Sequence, residues 1–169
     1  MDSYTSTSLV EGVKRLKDAD RVVMHSGIAF DHPALAKFGY NFPIDKIYDT
    51  LVASRLVDPT LEGGHSLRAW GERLGFPKGE HEDWSKLSDE MIEYCKQDCR
   101  VTLKLYEKIH PIAGTHTSSV LSEPNTALAL EHEVAKIIAQ QERNGFGFDV
   151  PKAEELAATL YAERKDVEY

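Results

Sequence analysis

The order of two short strand-like segments around one helix start constrains this chain more than any other feature. Arg21-Val22-Val23-Met24-His25 is apolar and β-branched, ends at Ser26-Gly27 and is too short for a helix, so it reads as a buried strand. Asp31-His32-Pro33-Ala34-Leu35 follows, with an N-cap type residue and a proline in the first turn, the signature of a helix start. Ile44 to Asp49 reads as a second short strand and Thr50 to Leu56 as a short helix, ahead of a turn-rich loop from Pro59 to Gly64. Strand, helix, strand, helix favours a parallel pair joined by a helical crossover, and therefore an α/β fold.

The flanking segments are helical. Leu9, Val10, Val13 and Leu16 recur at helical spacing between Ser8 and Lys17 and predict a short surface helix. Ser66 is placed to cap a helix that runs to Leu74 and stops at Gly75, and Phe76 to Lys86 is a polar loop. The strongest helix runs from Ser88 to about Ile109 and opens with Asp89 and Glu90, where carboxylates suit the macrodipole. Pro111, Gly114, Pro124 and several Ser and Thr mark a linker. Beyond it come a helix from about Leu128 to Asn144, a turn at Gly145-Phe146-Gly147 and a last helix near Pro151. The expected organisation is an α/β domain over residues 1–112, a linker over 113–127 and the start of a separate helical region over 128–169.

Charge and composition remove several function classes. With 28 acidic against 20 basic side chains and a net charge of −8, the chain is unsuited to coating nucleic acid nonspecifically. The same charge is compatible with holding nucleic acid through metal ions bound to carboxylates. No run approaches the roughly 20 apolar residues of a membrane helix, and the N-terminus lacks the order of a secretory signal, so the chain reads as soluble and intracellular. Cys95 and Cys99, one helical turn apart, cannot staple distant segments; they read as buried thiols in preference to a zinc site.

Two carboxylates stand out. On the helix from Ser88 to Ile109, Met91, Cys95, Thr102, Leu105, Tyr106 and Ile109 share one side, while Glu90, Glu93, Lys96, Arg100, Lys104, Glu107 and Lys108 share the other. Asp98 projects from the apolar side with Tyr94 one turn before it. A carboxylate there must be paired, hydrogen-bonded or metal-bound to offset several kcal/mol of lost hydration. Asp31 follows a buried strand across a short turn containing Gly27, a common location for functional groups in open α/β sheets. Its plain alternative is an ordinary N-cap; that of Asp98 is a hydrogen bond to a backbone amide or an arginine, and that of Tyr94 a core tyrosine.

Together these segments resemble a known family. His25-Ser26-Gly27-Ile28-Ala29-Phe30-Asp31, with Pro33-Ala34-Leu35 after it, is similar to the second motif of 3′-to-5′ proofreading exonucleases, which reads Asn, three residues, an aromatic and Asp. Tyr94-Cys95-Lys96-Gln97-Asp98 resembles the third motif of their tyrosine subclass. Tyr48 to Leu56 and Ser66 to Gly75 resemble the spacer of phage family A DNA polymerases, and Gln141 to Asp149 their join between exonuclease and polymerase. The resemblance covers nearly the whole chain, in order.

It implies a ribonuclease H-like exonuclease fold and hydrolysis of DNA 3′ ends by two Mg²⁺ or Mn²⁺ ions about 4 Å apart, one activating water and one stabilising the leaving oxygen. It implies that Asp31 and Asp98 are metal ligands, that the Tyr94 hydroxyl orients the attacking water, and that His25, Ser26 and Phe30 contact DNA. The implied location is the cytoplasm of a phage-infected bacterium. Two departures qualify the match. Ser26 stands where the family has Asn, with a shorter reach. The family's opening Asp-x-Glu pair, which supplies two metal ligands, has no counterpart before His25, where Asp2 is the only acidic residue ahead of Glu11 among the first residues. The expectation is therefore a sheet truncated at its N-terminal side and a chain that lacks the first three strands. Such a chain is inactive or weak alone. It is either a fragment or split-gene relative completed by a polymerase or exonuclease subunit, or an inactive exonuclease-like module that binds DNA or a protein. The strand at residues 21 to 25, left as an edge, is expected to self-associate or take a partner's strand.

Overall fold

A computed structural model describes residues 8–77, 85–113 and 127–167. By contacts the chain divides into two compact units, Met1–Ala139 and Gln140–Tyr169.

The first unit opens with α1 (Leu9–Asp18), whose Val13 is buried, and then enters β1 (Val22–Met24). Helix α2 (Asp31–Lys37) carries the chain to β2 (Ile47–Asp49), which pairs with β1 in parallel. Val22 faces Ile47, Val23 faces Tyr48 and Met24 faces Asp49. Because side chains alternate across a strand, this register divides the core. Val22 and Ile47 join Ile28, Phe42 and Ala139 on one face. Tyr48, with Val23 packed beside it, joins Ala53, Trp70, Leu105, Ile109 and Leu128 on the other. Burying each of these large side chains is worth roughly 1.5–3 kcal/mol, so the small sheet is held by its two faces more than by its hydrogen bonds.

Four helices complete the packing. Asp49 caps α3 (Thr50–Val57) by accepting from Leu51 N–H at 3.0 Å. Ser66 caps α4 (Leu67–Arg73) by accepting from Ala69 N–H, and Gly75, at φ +70°, takes the left-handed conformation just past its end. Ser88 caps α5 (Asp89–Ile109), again through its hydroxyl, which accepts from Met91 N–H. The α5 residues Val101, Thr102, Leu105 and Ile109 are buried, against α3 and α4. Helix α6 (Ala127–Asn144) buries Leu128, Ala129, His132 and Ala139. Its Lys136 forms ion pairs with Asp45 and Glu133.

The second unit contains the end of α6, a left-handed Gly145 at φ +62° that closes it, and α7 (Val150–Val167), which buries no residue. Asp149 starts α7 by accepting from Lys152 N–H at 3.1 Å. Among the described residues no helix is long and apolar enough to cross a membrane.

Several sequence expectations shift. The strand expected over 44–49 is a 3-10 turn over Ile44–Lys46 and a strand only from Ile47, because the Pro43 carbonyl accepts from Lys46 N–H and closes a turn first. Asp31 is the first helical residue and Phe30 is the N-cap, since the Ser26 and Gly27 carbonyls already accept from Phe30 and His32 N–H. That removes the plain N-cap reading of Asp31. Cys95 and Cys99 are exposed rather than buried: α5 buries its flank fully only from Val101 onward. The parallel pair and its helical crossover are as expected. Residues 78–84 of the polar loop and 114–126 of the linker lie outside the described residues.

Candidate functional site

A cavity of about 470 Å³ opens where the end of β1, the start of α2 and the middle of α5 meet. Its polar lining is His25, Asp31, Asp98 and Thr102, and its walls include Leu16, Val22, Val23 and Met24. Each candidate side chain arrives by a different local rule. Asp31 comes from the turn that links a buried strand to the following helix. Asp98 comes from the side of α5 that turns inward, where it is half-buried.

The turn from His25 to Phe30 is closely specified. Ser26 has φ +65°, which a non-glycine residue adopts only when its surroundings dictate it. Gly27 follows, and a Cβ there would lie 2.4 Å from Met24 Cβ, so only glycine fits without movement. The buried carboxylate of Asp49 supplies the dictating contacts: Oδ1 accepts from Ser26 N–H at 2.9 Å and Oδ2 accepts from Ile28 N–H at 3.1 Å. Behind Asp49, its own N–H donates to His132 Nε2 at 2.8 Å, and His132 Nδ1 donates to the Leu128 carbonyl.

His25 is oriented by a second chain of bonds. Thr50 Oγ1 donates its single proton to the Met24 carbonyl at 3.1 Å and lies 3.0 Å from His25 Nδ1. With that proton committed, Nδ1 must be the donor, so the neutral ring carries its lone pair on Nε2.

Burial pushes the pKa of Asp31 up from the usual carboxylate value, its own backbone amide opposes this, and the nearby Asp49 charge adds to the rise. Partial enclosure pushes the Cys99 thiol up as well, and the charges of Asp98, Cys95 and Asp31 act in the same direction. His132 is driven the other way, because burial disfavours its cation.

The structure thus brings His25, Asp31 and Asp98 to one cavity. Phe30 is 71% exposed just before Asp31, Ser26 sits within the turn, and Tyr94 is half-buried one helical turn before Asp98. Among the described residues no group of three or more His, Cys, Asp or Glu is placed to hold a metal ion. Sequence reasoning overlooked the structural part of Asp49, although an Asp at a strand end directly before a helix is an N-cap signal. It had no signal at all for His132, which reads as one polar residue in an amphipathic helix.

No family model matches the chain. It is 32% identical, over 86% of its length, to the DNA-directed DNA polymerase of Escherichia phage T7, covering 28% of that protein. It is 31% identical, over 90% of its length, to the DNA-directed DNA polymerase of Enterobacteria phage T3, covering 29% of it. The chain is a distant homologue of a segment of these phage polymerases and spans less than a third of their length.

Proposed function

We propose that this chain is part of a proofreading exonuclease module of ribonuclease H-like fold, and that its cavity receives the 3′ end of a DNA strand. The observation that carries the reading is the meeting of Asp31 and Asp98, from the two motifs of the resemblance, in one cavity with His25. The relation to phage polymerases supports the substrate class. Asp31 and Asp98 are two of the carboxylates that a metal-assisted phosphodiesterase site uses, and His25, Ser26 and Phe30 lie beside Asp31 on the turn that would meet the strand.

Among the described residues the donor set is short of what hydrolysis needs. Two carboxylates leave divalent ions under-coordinated, and electrostatic stabilisation of the developing charge is usually the largest contribution to such a reaction. The chain alone therefore binds a 3′ end and cleaves it poorly, and full activity needs carboxylates beyond Asp31 and Asp98. Fluorescence anisotropy with a labelled single-stranded oligonucleotide, with and without Mg²⁺ or Mn²⁺, tests this. Expected is binding that strengthens with the divalent ion and weakens about 10-fold in Asp31→Asn and Asp98→Asn. Binding that neither the ion nor either substitution changes would overturn the reading.

A further inference from the structure

We propose that Asp49 is the positioning residue of this site: its buried carboxylate fixes the Ser26–Ile28 turn and thereby delivers Asp31 to the cavity. The assignment rests on the reading of Asp31 and Asp98 as a nucleic-acid site.

The geometry is specific. Asp49 is 1% exposed, and its two oxygens accept three backbone N–H groups, from Ser26, Ile28 and Leu51, at 2.9, 3.1 and 3.0 Å. One of these caps α3, which any capping residue would do. The other two reach across to the end of β1 and hold a turn in which Ser26 has φ +65°. Downstream of that turn, Phe30 N–H donates to the Ser26 carbonyl and His32 N–H to the Gly27 carbonyl, both at 2.9 Å, so the first turn of α2 is built directly on the residues that Asp49 holds. Asp31 lies between those two donors. A buried carboxylate costs several kcal/mol of hydration unless each oxygen is hydrogen-bonded, and here the compensation comes from the backbone of the site itself. The main-chain N–H of Asp49 is anchored in turn to His132 on α6. Asp49 is almost fully buried and does not line the cavity, so it acts through Asp31 and not on a ligand directly.

Asp49→Asn separates positioning from capping. The amide oxygen can replace Oδ1, which serves Ser26 and Leu51, but the amide nitrogen is a donor and would face the N–H of Ile28. In the full chain, amide hydrogen exchange is expected to speed up at least 10-fold at Ile28, Phe30 and His32 while Leu51 stays protected. Anisotropy with a labelled single-stranded oligonucleotide and Mg²⁺ is expected to show about 10-fold weaker binding. The α3 helix signal in circular dichroism should remain. Exchange unchanged at Ile28, Phe30 and His32 would overturn the assignment, as would loosened exchange with binding as tight as in the parent chain. If the parent chain binds no oligonucleotide, the reading of the site fails while the exchange pattern still decides whether Asp49 holds the turn. If Asp49→Asn does not fold, the parent chain decides: Ser26 and Ile28 amides that exchange as fast as open turn amides would refute the hold, and strong protection at both would support it.

Discussion

The backbone N–H of Asp49 donates to Nε2 of His132 at 2.8 Å, across 83 positions of sequence. The bond requires a neutral imidazole, because Nδ1 already donates to the Leu128 carbonyl. Burial lowers the pKa of His132 below its ordinary 6.5, with Lys136 acting in the same direction and the Leu128 carbonyl, Asp49 and Glu133 opposing. The unfolded chain then binds the proton more readily than the folded chain, so this residue's contribution to stability is full above about 6.5 and is lost as pH falls towards the folded value. Thermal melts from pH 7.5 to 5 should show the parent chain losing stability more steeply than His132→Gln. At pH 7.5, His132→Ala should cost about 2–4 kcal/mol, from the unpaired Asp49 N–H and the cavity left behind. Equal pH slopes for the parent chain and His132→Gln would contradict this.

Gly27→Ala should destabilise the chain by about 1–3 kcal/mol. The new methyl would lie 2.4 Å from Met24 Cβ, an atom fixed by the β1 backbone and unable to swing aside. Chemical denaturation reads the loss, and a change below about 0.5 kcal/mol would mean that the turn is looser than its geometry indicates.

Ser26→Asn should stabilise the chain, by up to about 1 kcal/mol. Ser26 has φ +65°, and Asn is several-fold enriched among non-glycine residues with positive φ. The resemblance places Asn at this position, and the conformation supplies a backbone reason for it besides any contact with DNA. A lowered melting temperature in the variant would argue that the Ser26 hydroxyl matters more than its backbone.

The purified chain with Mg²⁺ or Mn²⁺ should shorten a 3′-ended single strand very slowly or not at all. Two carboxylates share the cavity, and no larger ligand group exists among the described residues. Gel analysis of a 5′-labelled oligonucleotide checks it. Rapid shortening that disappears in Asp98→Ala would show that the two carboxylates suffice.

The outer side of β1 should recruit a strand. Its inner side pairs with β2, and no third strand joins this sheet among the described residues. By contrast, the Asp49 N–H of β2 is bonded to His132 on α6. Exposed strand edges present unpaired amides and carbonyls that other chains complete. Light scattering should therefore find dimers or larger species, with amide protection at Val22 to Met24. A monomer whose Val23 amide exchanges freely would refute this.

Local order was legible in the sequence because local rules govern it. Val22 and Val23 between turn residues gave a strand, Ser66 and Ser88 gave helix starts through their hydroxyls, and Gly75 and Gly145 gave the stops. Those signals act within a few residues and need no partner. The parallel pairing followed from the order strand, helix, strand. The 3-10 turn at Ile44–Lys46 was not legible, since alternating apolar and charged residues after a proline fit both a turn and a strand. Nor was the exposure of Cys95 and Cys99, because periodicity reports which side of α5 could be buried but not how far along that side its neighbours extend.

The site divides in the same way. The sequence by itself determined which residues are the candidates: Asp31 after a strand and Asp98 on an apolar helix flank are anomalies of charge against pattern, visible without coordinates. Only the tertiary structure decided that both open on one cavity, that Asp49 lends its carboxylate to the turn before Asp31, and that His132 stands behind it. The physical reason is that each of these is a hydrogen bond or a burial between elements far apart in the chain. Such contacts have no period and no spacing, and they exist only once the sheet register has brought β1, β2, α5 and α6 to their places.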